Sequence, residues 1–102
     1  MIHVITYYDI IPGKEKEYEE FVKESAAEVM KNLPAGVRME GAWNPINNNN
    51  RIYTLMSMDR LSTLEDLLES QGWQEMIKVQ DSMVTNITIE YLVPTGCREK
   101  YG

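Results

Sequence analysis

The stretch that decides the fold is residues 3–36, HVITYYDIIPGKEKEYEEFVKESAAEVMKNLPAG. Its side-chain pattern changes from the two-residue period of a strand to the 3.6-residue period of a helix. β-branched and aromatic residues dominate His3 to Ile11, which predicts a strand, and Pro12-Gly13 then interrupt it. After this turn a mainly apolar set recurs at spacings of three and four, as on one face of a helix. Its members are Tyr18, Phe21, Val22, Ser25, Ala26, Val29, Met30 and Leu33. Leu33-Pro34-Ala35-Gly36 is expected to end this helix.

The rest of the chain repeats the alternation of strands and helices. Val37 to Asn44 and Arg51 to Met58 are predicted strands, followed by a helix from Ser62 to Ser82 that Gly72 interrupts. Val84 to Val93 is the fourth strand. The order βαββαβ indicates an α+β, ferredoxin-like fold, a four-stranded antiparallel sheet with two helices on one face.

The chain of 102 residues has room for one domain. We expect residues 1–94 to form this domain and residues 95–102, which include Cys97, to form a polar tail. No apolar run approaches the roughly 20 residues that a bilayer span needs, so no membrane insertion is expected. The net charge of −6 disfavours nucleic-acid binding, because phosphate contacts need clustered Lys and Arg.

A cytoplasmic location is expected for two reasons. The lone Cys97 cannot close an intrachain disulfide, which fits a reducing compartment. No signal-peptide pattern follows Met1.

One face of such a sheet is left without helices. The first strand carries apolar residues on both faces, with Val4, Tyr8 and Ile10 on one and Ile5 and Tyr7 on the other. The bare face is therefore expected to be covered, most simply by a second copy of the chain. This predicts a homodimer, or a higher oligomer built from it.

Several short motifs resemble the NIPSNAP-like branch of the dimeric α/β-barrel proteins. They are Tyr8-Asp9-Ile10-Ile11-Pro12-Gly13-Lys14 followed by Tyr18 and Phe21, then Gly41-Ala42-Trp43, and Gly72-Trp73-Gln74-Glu75. The resemblance covers about residues 3 to 93. It implies a ferredoxin-like subunit whose sheet pairs with that of a partner to form a dimeric α/β barrel.

This resemblance does not imply a single activity, because the superfamily includes cofactor-independent monooxygenases, haem-handling enzymes, ligand-sensing modules and proteins of unassigned role. Haem-degrading relatives rely on a histidine, an asparagine and a tryptophan. Neither predicted helix contains a histidine, so haem ligation is not expected and no cofactor is predicted.

Three residues of the first strand are weak catalytic candidates. His3, Tyr7 and Asp9 share strand parity, so an imidazole, a phenol and a carboxylate lie on one face. In a closed cavity they could move a proton between a substrate and solvent. At a dimer interface they would hydrogen-bond across it, which we favour because buried polar groups need partners.

A second set of residues suits an adaptable apolar ligand pocket. Met39, Met56, Trp43 and Trp73 are bulky, soft side chains around the middle strands and the second helix. Tyr8 joins them if its face of the first strand looks at the helices. The same residues would also serve as ordinary core.

No metal site is predicted, because Asp9, Glu40 and Glu90 are scattered over three strands without diagnostic spacing. The leading functional hypothesis is a dimer that binds a small, largely apolar molecule between helices and sheet, with cofactor-independent oxygenation as a candidate activity. The alternative is a non-enzymatic oligomeric interaction module.

Overall fold

The computed structural model describes residues 1–96, so Cys97 and the rest of the predicted tail lie outside the described residues. The strands are β1 (Ile2–Ile10), β2 (Val37–Trp43), β3 (Arg51–Met58) and β4 (Val84–Leu92). The helices are α1, which joins Glu15–Phe21, a π-helical segment Val22–Ala26 and Ala27–Lys31, then α2 (Leu61–Glu69) and α3 (Gln71–Asp81). None of these helices is long and apolar enough to cross a membrane.

The four strands form one antiparallel sheet in the order β2-β3-β1-β4. This order, with helices following β1 and β3, confirms the predicted ferredoxin-like fold. β1 pairs with β3 without a register shift, from Ile2 opposite Met58 to Asp9 opposite Arg51. Even-numbered residues of β1 face the helices. The odd-numbered residues lie on the other side, which we call the open face.

Helix α1 contains a π-helical segment that the periodicity did not predict. Phe21 and Ala26 are five positions apart, yet both pack into the core. Val22 is 42% exposed and Ser25 is exposed, so the prediction that they belong to the buried stripe is wrong. The wider π turn adds one residue between the two inward positions.

The second predicted helix is in fact two helices, and they separate at Ser70 rather than at Gly72. Ser70 has extended backbone angles, φ −64° and ψ 125°, and ends α2 while capping α3. Its hydroxyl accepts a hydrogen bond from the Trp73 backbone N–H at 3.5 Å. Gly72 lies inside the first turn of α3. On either side of this break, α2 contacts β3 and α3 contacts β4.

The core consists of two clusters between the helices and the sheet. The first contains Tyr8, Ile10, Tyr18, Phe21, Met76, Met83 and Val84. The second contains Val4, Met56, Met58 and Leu67. Trp73 packs against both clusters, so a single side chain of α3 connects the two halves of the core.

An ion pair at the end of β1 connects three strands across the open face. Asp9 on β1 accepts hydrogen bonds from Arg51 on β3, from Nε at 2.8 Å and from Nη2 at 3.0 Å. It also accepts one from Asn86 Nδ2 on β4 at 3.1 Å. Asn86 is a non-glycine residue in the left-handed region, with φ 56°. The hydrogen bonds from Arg51, followed by that from Asn86, lower the pKa of Asp9 from 3.8 to about 2.

The lowered pKa of Asp9 predicts a defined acid sensitivity. Because the folded state holds the carboxylate ionised, its contribution to stability is complete above pH 4 and is lost as the pH falls toward about 2. We expect Asp9→Asn to reduce the slope of the free energy of unfolding against pH in this window, measured by urea denaturation. Asp66→Asn, on the exposed surface of α2, should keep the wild-type slope. An Asp9→Asn protein with the wild-type slope would contradict this assignment.

Candidate binding cavity

A cavity of about 270 Å³ lies between the helices and the sheet. Its sheet side is formed by Val4, Thr6 and Tyr8 of β1, Met39 of β2, Thr54, Met56 and Met58 of β3, and Ile87, Ile89 and Tyr91 of β4. Its helix side is formed by Met30 of α1, Leu64, Leu67 and Leu68 of α2, and Trp73, Met76, Ile77, Gln80 and Asp81 of α3. Most of these side chains are apolar, and four methionines on the sheet and α3 give the walls adaptable shapes.

The cavity is open to solvent along β4. Ile87, Ile89 and Tyr91 point to the helix side of this edge strand and are 42%, 49% and 53% exposed. The helices leave this part of the sheet uncovered because β4 is the outermost strand on its side. The cavity therefore has a solvent-exposed side along β4.

The polar groups of the cavity include a short chain formed by Tyr8, Tyr18 and Gln80. The hydroxyl groups of Tyr8 and Tyr18 form a close hydrogen bond between β1 and α1. The Tyr8 hydroxyl is also 3.5 Å from Oε1 of Gln80 on α3. Tyr8 and Gln80 line the cavity. Tyr18 packs against Tyr8 outside the cavity lining, with 6.0 Å between the two ring centres.

Both phenols stay protonated at neutral pH. Burial, followed by the nearby Tyr18, raises the pKa of Tyr8 far above its ordinary value. Burial also raises the pKa of Tyr18, although the hydrogen bond with Tyr8 opposes this shift. Tyr8 therefore acts in this cavity as a neutral hydrogen-bonding group rather than as a base.

The structure places four of the five predicted pocket residues in this cavity, namely Tyr8, Met39, Met56 and Trp73. Trp43, the fifth predicted pocket residue, lies outside this cavity. It is 53% exposed on the open face, where it lies opposite Tyr53. The cause is a β-bulge between Met39 and Gly41, which adds one residue and reverses the facing of the rest of β2.

A close contact explains why residue 41 is a glycine. A Cβ atom at Gly41 would lie 2.9 Å from the Trp43 ring, so the indole covers this position on the open face. The prediction that Trp43 lines the same pocket as Trp73 is wrong for this geometric reason.

The three weak catalytic candidates do lie on one face, but it is the open face and each has a partner on β3. His3 Nδ1 is 2.9 Å from Ser57 Oγ, Tyr7 stacks on Tyr53 at 5.0 Å between ring centres, and Asp9 pairs with Arg51. Each pair consists of register neighbours. His3 and Asp9 are separated by about 20 Å of strand, so the three do not form a single constellation.

The carboxylates considered as metal ligands are also separated. Asp9 is occupied by Arg51, and Glu40 receives a hydrogen bond from Arg38 Nε at 2.8 Å. Arg38, followed by Ser57, lowers the pKa of Glu40. Within residues 1–96, His, Cys, Asp and Glu side chains form no group of three that could hold a metal ion.

Sequence reasoning missed the roles of Tyr18 and Gln80. Tyr18 was interpreted as part of an apolar stripe, and Gln80 was not considered. One signal was available, because Gln80 follows Trp73, Met76 and Ile77 at helical spacing and is thus a polar residue on the buried side of α3.

Comparison with known proteins relates this geometry to a group of solved structures. No protein-family profile and no curated protein sequence matches the chain. A NIPSNAP domain protein from Burkholderia xenovorans aligns over 94% of this chain and 96% of its own, with 19% identity and a TM-score of 0.70. A NIPSNAP family protein from Agrobacterium tumefaciens aligns over 93% of both chains, with 21% identity and a TM-score of 0.69.

A further similar structure comes from Deinococcus radiodurans and is provisionally described as an antibiotic biosynthesis monooxygenase. It aligns over 92% of both chains, with 10% identity and a TM-score of 0.75. At these identities the comparisons establish the fold. The resemblance to the NIPSNAP-like branch is thus confirmed as a shared ferredoxin-like fold, which NIPSNAP proteins and monooxygenase-like proteins have in common.

Proposed function

We propose that this protein binds a small, largely apolar molecule in the cavity between its helices and its sheet. The observation that supports this proposal is the cavity itself, which has apolar walls, a solvent-open side at β4 and a polar chain from Tyr8 to Gln80. Its volume of about 270 Å³ is near the lower end of ligand pockets, which favours a compound of one or two rings.

A homodimer that covers the open face is the second part of this proposal. The open face carries Ile5, Tyr7, Tyr53 and Leu55 only half-buried, beside the exposed Trp43. Four charged groups on this face are paired within the chain, as Asp9 with Arg51 and Arg38 with Glu40, whereas Glu90 of the edge strand β4 lies opposite Ile5. A second copy can therefore cover the apolar part while Glu90 stays at the rim of the contact, and two-fold symmetry makes this patch complementary to itself.

A cofactor-independent monooxygenase activity is a second candidate, favoured by the similarity in fold to the Deinococcus radiodurans protein. In such a reaction an electron-rich substrate would supply the electrons, take up one oxygen atom of O₂ and release the other as water. Because Tyr8 is a neutral phenol, activation would depend on a substrate that is itself easily deprotonated. Incorporation of one oxygen atom of ¹⁸O₂ into a naphthol, an acidic phenol of two rings, with release of the other atom as water, tests this activity.

We also propose a cytoplasmic location, supported by the single cysteine of the sequence.

Substitutions in the cavity should separate binding from folding. We expect Trp73→Leu to weaken the binding of ethylnaphthalene by about tenfold or more, because the indole connects both core clusters beside the ligand. Thr54→Phe should weaken it similarly by filling the cavity from the sheet side while keeping a good strand residue. Isothermal titration calorimetry provides the dissociation constants.

Trp43→Leu is the matched control, since it removes the other indole from the open face. It should bind the ligand like the wild type. Equal affinities for the wild type, Trp73→Leu and Thr54→Phe would contradict the cavity as the binding site, and would leave the non-enzymatic interaction module as the better explanation.

A charge on the open face should dissociate the dimer. Leu55 lies opposite Ile5 in the centre of this face, so Leu55→Lys would bury an ammonium group in the apolar contact. We expect a monomer for this variant and a dimer for the wild type in sedimentation equilibrium. Ile46→Lys, on a fully exposed loop residue, introduces the same charge and should remain dimeric. A monomeric wild type would refute the proposed dimer.

A further inference from the structure

The hydrogen-bonding directions along Tyr18, Tyr8 and Gln80 follow from the burial of Tyr18. This residue is 9% exposed, and within residues 1–96 its hydroxyl group has the Tyr8 hydroxyl as its partner. A buried hydroxyl proton without an acceptor costs a full desolvation penalty. Within residues 1–96, only donation from the Tyr18 O–H group to the Tyr8 oxygen gives this buried proton an acceptor.

The orientation of Tyr18 determines the next bond. Since the Tyr8 oxygen receives the proton of Tyr18, its own O–H group is directed to another acceptor, and Oε1 of Gln80 lies 3.5 Å away. This bond fixes which end of the Gln80 amide faces Tyr8. The two N–H groups of the same amide are then left for the cavity, which Gln80 lines.

The charge beside this amide limits the ligand further. Asp81, the next residue of α3, is an exposed acidic residue that also lines the cavity. An anionic ligand such as a carboxylate would be repelled there. A neutral ligand with a hydrogen-bond acceptor has no such electrostatic cost and can accept hydrogen bonds from the Gln80 N–H groups.

We infer that the ligand of this cavity is an apolar compound with a neutral carbonyl oxygen, which accepts a hydrogen bond from Gln80 Nε2. Tyr8 and Tyr18 are positioning residues, because they hold the amide with its nitrogen toward the ligand. This inference rests on the proposed function, and it specifies the ligand class as ketones, aldehydes, esters or amides rather than hydrocarbons or acids.

A comparison of acetylnaphthalene with ethylnaphthalene tests this inference, since the two differ by a carbonyl oxygen on a similar frame. In isothermal titration calorimetry, Gln80→Leu should reduce the preference for the ketone over the hydrocarbon by about tenfold relative to the wild type. The infrared carbonyl stretch of bound acetylnaphthalene should lie at lower frequency in the wild type than in Gln80→Leu. Gln71→Leu, on the exposed start of α3, should keep both wild-type properties.

Tyr18→Phe distinguishes positioning from simple packing, because Tyr18 itself does not line the cavity. When the Tyr18 hydroxyl is removed, the Tyr8 oxygen no longer receives a proton from it, and the Gln80 amide can turn and donate to Tyr8 instead. The preference for the ketone should then fall severalfold, while ethylnaphthalene still binds. An unchanged preference and an unshifted carbonyl stretch in Gln80→Leu would overturn this inference while ligand binding stands. If neither compound binds the wild type, the proposed function is overturned and this inference with it.

Discussion

The uninterrupted pairing of β1 with β3 is the constraint on which the other features of this protein depend. From Ile2 to Asp9 each residue of β1 has a fixed partner on β3, so the side-chain alternation of the two central strands is locked. The adjacent residues Tyr7 and Tyr8 show the effect. Tyr7 stacks on Tyr53 on the open face, whereas Tyr8 bonds to Tyr18 beneath the helices. A slip of one residue would exchange these two roles and remove the polar chain of the cavity.

The sequence allowed the fold to be predicted because its strong signals are local. The strand bounds Arg51–Met58 agree with the structure since this strand is dense in residues with strand preference and a run of asparagines precedes it. The face of β1 could not be predicted, because both of its faces are apolar and local alternation does not say where the helices lie. Trp43 was assigned to the wrong face for a similar reason. The bulge beside Gly41 reverses the alternation, and an isolated glycine in a strand indicates such a bulge without fixing its position.

In the helices, too, the spacing of residues along the chain did not predict every side chain's position. The π-helical segment widens one turn of α1, so Val22 and Ser25 leave the stripe that a uniform period assigns to them. The break at Ser70 depends on one extended residue, whereas Gly72, the stronger helix breaker by composition, is accommodated in the first turn of α3. Gln80 and Tyr18 gain their roles through contacts between α1, α3 and β1. Such contacts between distant segments cannot be read from the spacing of residues within one helix.

The two outer strands of the sheet share a feature that bears on how the protein behaves at high concentration. β2 carries an extra residue at Glu40, and β4 carries one at Asn86, whose backbone is left-handed. A straight edge strand offers its free N–H and C=O groups to any other chain and can seed fibrils. Here the extra residue in each outer strand interrupts the regular spacing of these backbone groups. Arg38 and Glu40 also add charge to β2. The protein can thus keep Ile87, Ile89 and Tyr91 exposed at the rim of its cavity with protection against edge-to-edge aggregation.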